Sequence, residues 1–160
     1  MTFTFQEFAL RILVAIALAA ILGLERGLKG KPIGLRAFMM VSLGSCAFTM
    51  ITLNFAFGTM VFGDASVGVD PTRVIQGIIG GIGFLGAGAL MSRDSDGHIR
   101  GMGTGSAIWT VGAVGVACGF GFFLEAGFVT LVALLILVLS SWVEDRAKKV
   151  TPETPEKEAD

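Results

Sequence analysis

Apolar runs of bilayer-spanning length dominate this chain and leave few folds open to it. Phe3 to Leu24, Leu35 to Phe57 and Val74 to Met91 are each close to the roughly 20 residues that cross the hydrocarbon core as a helix. From Gly105 to Val143 the only charge is Glu125, and that stretch is about twice one span. A tight turn around Phe120 to Gly127 divides it in two. The expected architecture is an all-α polytopic membrane protein of five transmembrane helices, over 3–24, 35–57, 71–91, 104–121 and 124–143. Residues 144–160 are expected to form a short charged tail, disordered past Lys149. Only 16% of residues are charged, against about 25% in soluble domains. No basic n-region precedes the first run and no small-residue cleavage site follows it, which speaks against a cleaved signal peptide.

The basic residues give an orientation. With the N-terminus outside and the C-terminus cytoplasmic, the inner segments hold Arg26, Lys29, Lys31, Arg36, Arg93, Arg100, Arg146, Lys148, Lys149 and Lys157, and the outer ones only Arg11 and Arg73. Ten against two is the positive-inside pattern. Four or six helices would spread these charges over both faces. A net charge of −1 provides no field for nucleic acid, so none is expected as a partner; the lipid bilayer is.

Twenty-three residues are glycine, six of them in the third run: Gly77, Gly80, Gly81, Gly83, Gly86 and Gly88. Small residues let membrane helices approach closely. Gly77/Gly81, Gly83/Ala87 and, in the fourth run, Gly115/Gly119 are small-xxx-small pairs. These glycines are read as helix-packing positions, with the third helix central; a pore or a broken helix lining a site is the sharper alternative. Gly81 to Gly86 matches G-x-G-x-x-G, but mid-membrane and without a strand before it, so it is not a dinucleotide site. Asp94-Ser95-Asp96-Gly97 reads as a turn, because position twelve of a calcium loop would be Gly105 instead of glutamate.

Ionisable and amide groups near membrane depth are functional candidates. They sort into an outer layer of Glu7, Arg11, Asn54, Asp70, Arg73, Gln76 and Glu125, and an inner layer of Glu25, Arg26, Arg36, Thr104, Ser106 and Trp109. Asp70 is expected to cap the helix opened by Pro71 and to pair with Arg73, whose helical face Gln76 shares one turn deeper. Gln76 and Asn54 are expected to be buried and bonded. Glu7 and Arg11 are spaced as a helical ion pair. Glu25 either pairs with Arg26 or Arg36 or is the acid of a cytoplasmic-side site. The competing reading for all of these is capping, snorkelling and structural pairing. Trp142 suits an interfacial position, and Cys46 and Cys118 are read as packing residues. Asp70 and Gln76 are weak candidates for holding Mg²⁺, which prefers oxygen ligands in octahedral geometry. No cofactor is expected, Mg²⁺ being considered as a ligand or substrate. No nucleophile–base pair or metal cluster is visible, so an enzyme is the weakest class.

Three ordered segments also carry a resemblance. Gly23-Leu24-Glu25-Arg26 with Lys31-Pro32-Ile33-Gly34-Leu35-Arg36, then Gln76 to Met91, then Gly101 to Gly115 with Thr104, Ser106, Ala107, Ile108 and Trp109, together resemble the MgtC/SapB family of bacterial membrane proteins. The resemblance implies a five-helix protein of the inner membrane, a link to magnesium homeostasis, and action through other membrane proteins, the F-type ATP synthase among them. It places family motif positions at Glu25, Arg26, Pro32, Gly34, Arg36, Asp70, Arg73, Gln76, the glycines of 81–88, Ser106 and Trp109. Many members continue into a cytoplasmic ACT-like domain, and this chain reads as a short form without it. Two functions follow as expectations: a regulatory protein working through helix–helix contacts, or a transporter or channel for Mg²⁺ or another ion. A homo-oligomer is a further expectation from the small-residue faces.

Overall fold

The computed structural model describes residues 3–31, 33–61, 70–90 and 102–150. Among these the chain is all-helical: α1 (Phe5–Leu28), α2 (Leu35–Val61), α3 (Pro71–Leu90), α4 (Met102–Phe120) and α5 (Phe123–Val150). Four of them, α1, α2, α4 and α5, are long and apolar enough to cross a membrane. In α3, Arg73, Gln76 and six glycines dilute the apolar content. Three expected boundaries are corrected: 58–61 extend α2, 102–103 open α4, and 144–150, expected as tail, continue α5; 62–69, 91–101, Pro32 and 151–160 lie outside the described residues.

Local chemistry explains the boundaries. Thr4 caps α1 in a capping box: its hydroxyl accepts from Glu7 N at 3.3 Å, and Thr4 N donates to Glu7 Oε2 at 2.9 Å. Helix α1 continues four residues beyond the apolar run because its stop signal is Gly30, not the first charge. Gly30 has φ 62°, its N–H donates to Gly27 O at 3.1 Å, and Lys31 N donates to Arg26 O at 3.1 Å. These are the two bonds of a Schellman terminus. Gly121 (φ 88°) ends α4 the same way, with Gly121 N on Cys118 O and Phe122 N on Ala117 O, both at 2.9 Å. Two residues then suffice to turn into α5.

The expectation that α3 is central is corrected: α4 is the hub. It packs on all four other helices, whereas α3 touches only α2 and α4, and α5 only α1 and α4. The reason lies in how α4 distributes its small residues. Gly105 and Gly112 admit α3, Gly115 and Gly119 admit α2, and Thr104, Ala107, Val111, Val114 and Cys118 are buried on the adjoining part of the same broad face. A Cβ at Gly105 would lie 2.9 Å from Gly86 O of α3, and one at Gly119 would lie 2.6 Å from Thr49 Cβ and 3.0 Å from Cys46 O of α2. In α3, only Gly86 is packed in this way. Gly77, Gly80, Gly81, Gly83 and Gly88 have open space where a Cβ would stand.

Two apolar clusters stack along the bundle. One joins Ala19, Leu22, Phe38, Ile82, Ala107, Ile108 and Val111; the other joins Ala15, Cys46, Met50, Val114, Cys118 and Ala126. Buried hydroxyls between helices satisfy themselves on backbone carbonyls. Ser42 Oγ donates across to Ala15 O at 3.0 Å, Thr49 to Ser45 O at 2.7 Å and Thr130 to Ala126 O at 2.8 Å. In a medium without water an unsatisfied polar group is costly, so these bonds are what allows the groups there.

Candidate functional site

The polar candidates gather at the two ends of α4, and each end is anchored by an arginine from α1. At the end holding the C-terminus of α1 and the N-terminus of α4, Arg26 is buried and its Nη2 donates to Thr104 Oγ1. The neighbouring Glu25 side chain is about nine-tenths buried and ion-pairs with Lys29 Nζ at 2.9 Å, i,i+4, in preference to Arg26 or Arg36. Neither Glu25 oxygen accepts a hydrogen bond of good geometry. The close approach of α1 to α2 that builds this end needs Gly23, where a Cβ would lie 2.7 Å from Leu35 Cα. Arg36 and Ser106 are exposed; Ser106 Oγ donates to Gly103 O at 3.3 Å.

At the opposite end Arg11 does not pair with Glu7. Glu7 is engaged by Thr4, and Arg11 Nη1 donates to Gly119 O at 2.6 Å, with the guanidinium 4.4 Å from the centre of the Phe3 ring. A cation on the last carbonyls of α4 is favoured by the helix dipole. Spacing within α1 suggested the local ion pair. The tertiary acceptor had a weak signal, Gly119-Phe120-Gly121, a helix end whose carbonyls need donors.

Asp70 is the N-cap of α3. Its Oδ1 accepts from Thr72 Oγ1 at 2.6 Å and Thr72 N at 2.9 Å, and its Oδ2 lies 3.9 Å from Arg73 Nε. The Thr72 hydroxyl, then the Thr72 N–H, hold the Asp70 carboxyl below the ordinary carboxylate range. Gln76 and Asn54 differ from their expected placement. Gln76 is exposed on α3, and no hydrogen bond joins the two among the described residues. Asn54 Oδ1 is buried and accepts no hydrogen bond. Glu125 is exposed in the first turn of α5. Trp109 is half exposed beside a groove of about 280 Å³ between α3 and α4, and Trp142 stacks under Arg146 at 4.7 Å.

The arrangement therefore gathers Glu25, Arg26 and Thr104 at one end and Asp70 with Arg73 at the other, and leaves Arg36, Gln76, Ser106 and Trp109 on the surface. Among the described residues no three His, Cys, Asp or Glu side chains converge on a point that could hold a metal. Asp70, the carboxylate candidate, already has both oxygens facing donors. A groove of about 650 Å³ between α2 and α3 has apolar walls of Met40, Phe48, Ile78 and Leu85 and a floor of Gly44, Gly77 and Gly81.

The chain is 34% identical over 148 residues to Protein SapB of Bacillus subtilis, covering 92% of this chain and 61% of that protein. It is 33% identical over 131 residues to the Escherichia coli K12 protein named "Putative magnesium transporter YhiD", covering 82% and 59%. It is 34% identical over 125 residues to Protein MgtC of Brucella abortus, covering 78% and 48%. The matched part thus spans about half to three-fifths of these relatives. No solved structure matches. The family model described as MgtC family matches residues 12–146, nearly the whole helical bundle, and this membrane protein belongs to the MgtC family.

Proposed function

We propose that this chain is a multi-pass protein of the bacterial inner membrane, N-terminus outside, that serves magnesium homeostasis by contacting other membrane proteins. The magnesium link rests on family membership and on the relatives' names. The observation that carries the contact reading is the interior of the bundle. Between the Arg11–Gly119 and Arg26–Thr104 contacts, the buried hydroxyls are spent on backbone carbonyls and the remaining core is apolar. A path for a strongly hydrated divalent cation calls for oxygen ligands that replace or hold its waters, whereas Glu7, Glu25 and Asp70 sit toward helix ends with partners of their own and Glu125 is on the surface. Large apolar side chains, by contrast, face outward along α5, Leu131, Leu135 and Leu139 among them.

The test places a photo-crosslinking amino acid at Leu131 or Leu139 in cells grown with scarce and with ample magnesium. The contact reading expects a discrete heterologous adduct whose yield follows magnesium. Absence of any adduct at outward positions around the bundle would overturn it.

A second reading, transport of Mg²⁺ or another ion, is favoured by two observations. One is the name of the E. coli relative. The other is Asn54 Oδ1, a buried oxygen that accepts nothing. On that reading liposomes holding the protein take up the ion, and Asn54→Leu abolishes uptake.

A further inference from the structure

We propose that the outward face of α3 is the interface of a two-fold dimer of this chain. At 100° per residue, Arg73, Gln76, Gly77, Gly80, Phe84 and Gly88 fall on one side of α3, opposite the Ile78 and Ile82 side that packs inward. All six are exposed. The open glycines alone would be compatible with lipid. Three features of different chemistry select a second copy.

The first is Gln76. It lies five residues into α3, about 7.5 Å along the axis at 1.5 Å per residue, and its amide points away from the bundle. Lipid tails offer an amide no hydrogen bond. A carboxamide is both donor and acceptor, so two copies of Gln76 across a two-fold axis satisfy each other.

The second is charge. Copies inserted in one membrane orientation place their α3 helices parallel, with both N-termini level. Asp70 and Arg73 are loosely paired within the chain, Nε to Oδ2 at 3.9 Å, and both are at least half exposed. Across a two-fold, Arg73 of each copy meets Asp70 of the other, so the end of the face is complementary to itself.

The third is shape. Phe84 is 80% exposed, and its helical position puts it next to Gly77 and Gly81, which with Gly44 line the 650 Å³ groove. A knob next to a hole on the same surface is the pattern an isologous contact requires: each Phe84 enters the groove of the other copy. The glycines then set how closely the two helices approach.

The experiment is Förster transfer between donor- and acceptor-labelled full-length chain in liposomes over a range of protein-to-lipid ratios. A Cβ at Gly80 meets nothing within 4 Å, so Gly80→Leu leaves the fold intact, and unchanged thermal unfolding of that variant verifies this. The wild type is expected to give saturable transfer fitting a dimer. Gly80→Leu and Gln76→Leu should each weaken association at least tenfold, Leu135→Ala on α5 should not change it, and Gly80→Cys should form a disulfide-linked dimer on oxidation. Purified chain that stays monomeric, with α3 reserved for lipid or for the helix of another protein, would overturn the proposal. So would a dimer indifferent to Gly80→Leu.

Discussion

Replacing Gly115 by alanine tests the packing that makes α4 the hub. A Cβ at Gly115 would stand against Ser42 O, 2.9 Å from Ser45 Cβ and 3.0 Å from Ser42 Cα. Comfortable contact between carbons begins near 3.5 Å, so α4 and α2 must part by roughly half an ångström to one ångström. A gap of that size forfeits about a quarter to a half of each dispersion contact along the seam. Overpacking of this kind costs about 1–3 kcal/mol, and two of the three nearest atoms are backbone, which cannot rotate aside. Against this, alanine in a helix gains about 0.8–1 kcal/mol over glycine. With the overpacking cost in the upper part of its range, the net expectation is a loss of about 1–2 kcal/mol, or about 2–8 °C in Tm for a chain of this size.

Gly127 of α5 supplies the sign control. Nothing lies within 4 Å of a Cβ there, so Gly127→Ala keeps the propensity gain and should raise Tm by about 1–4 °C. Cys46 and Cys118 are fully buried, so a thiol-reactive fluorophore in mild detergent reports unfolding without added labels. Gly115→Ala/Gly119→Ala should lose less than the sum of the two single variants, because one displacement of α4 from α2 relieves both clashes. A Gly115→Ala that is as stable as Gly127→Ala would refute the close seam.

Further expectations concern the ends of the bundle. Arg11→Met removes a charged hydrogen bond from the last turn of α4, and a loss of about 1.5–3 kcal/mol should appear in the same unfolding assay. Arg26→Leu should lower Tm, with Arg26→Lys recovering only part, since one ammonium does not reproduce the fork that reaches Thr104. Gly121→Ala forces a side chain into the left-handed region beside the Arg11 guanidinium and should cost about 1–2 kcal/mol. Asp70→Ala should speed amide exchange at Thr72 and Arg73. Because the folded pKa of Asp70 is lowered, its capping contribution is complete above the ordinary carboxylate value of about 4 and fades as pH falls through the lower folded value. Protection of the Thr72 amide, taken relative to its intrinsic exchange rate at each pH, should therefore fall only on strong acidification.

The helices were legible because a bilayer demands long uninterrupted apolar segments, and Asp70-Pro71 marked the start of α3 through simple capping chemistry. The end of α1 was misplaced because charged residues can stay helical past the apolar run until a glycine such as Gly30 permits the left-handed turn. Centrality was misread for a different reason. Glycine content measures how closely a helix can be approached, not whether a neighbour arrives. In α4 the glycines at 105, 112, 115 and 119 meet α3 and α2, and Ala107, Val111, Val114 and Cys118 fill the adjoining part of the same face; in α3 five of the six have open space where a Cβ would stand. Candidate side chains were recognisable by type, but their partners were not. Arg11 on Gly119 O and Arg26 on Thr104 join residues 108 and 78 positions apart, and no spacing rule within one helix reaches that far.

The claim that this bundle works by contact, not by conduction, is tested most directly by Mg²⁺ uptake into liposomes containing the purified, folded protein, followed with an enclosed magnesium-sensitive dye. The account predicts uptake no faster than in protein-free liposomes, with either sign of membrane potential imposed. Uptake well above that background, and abolished by Asn54→Leu, would contradict it and place an ion path beside the buried Asn54 oxygen.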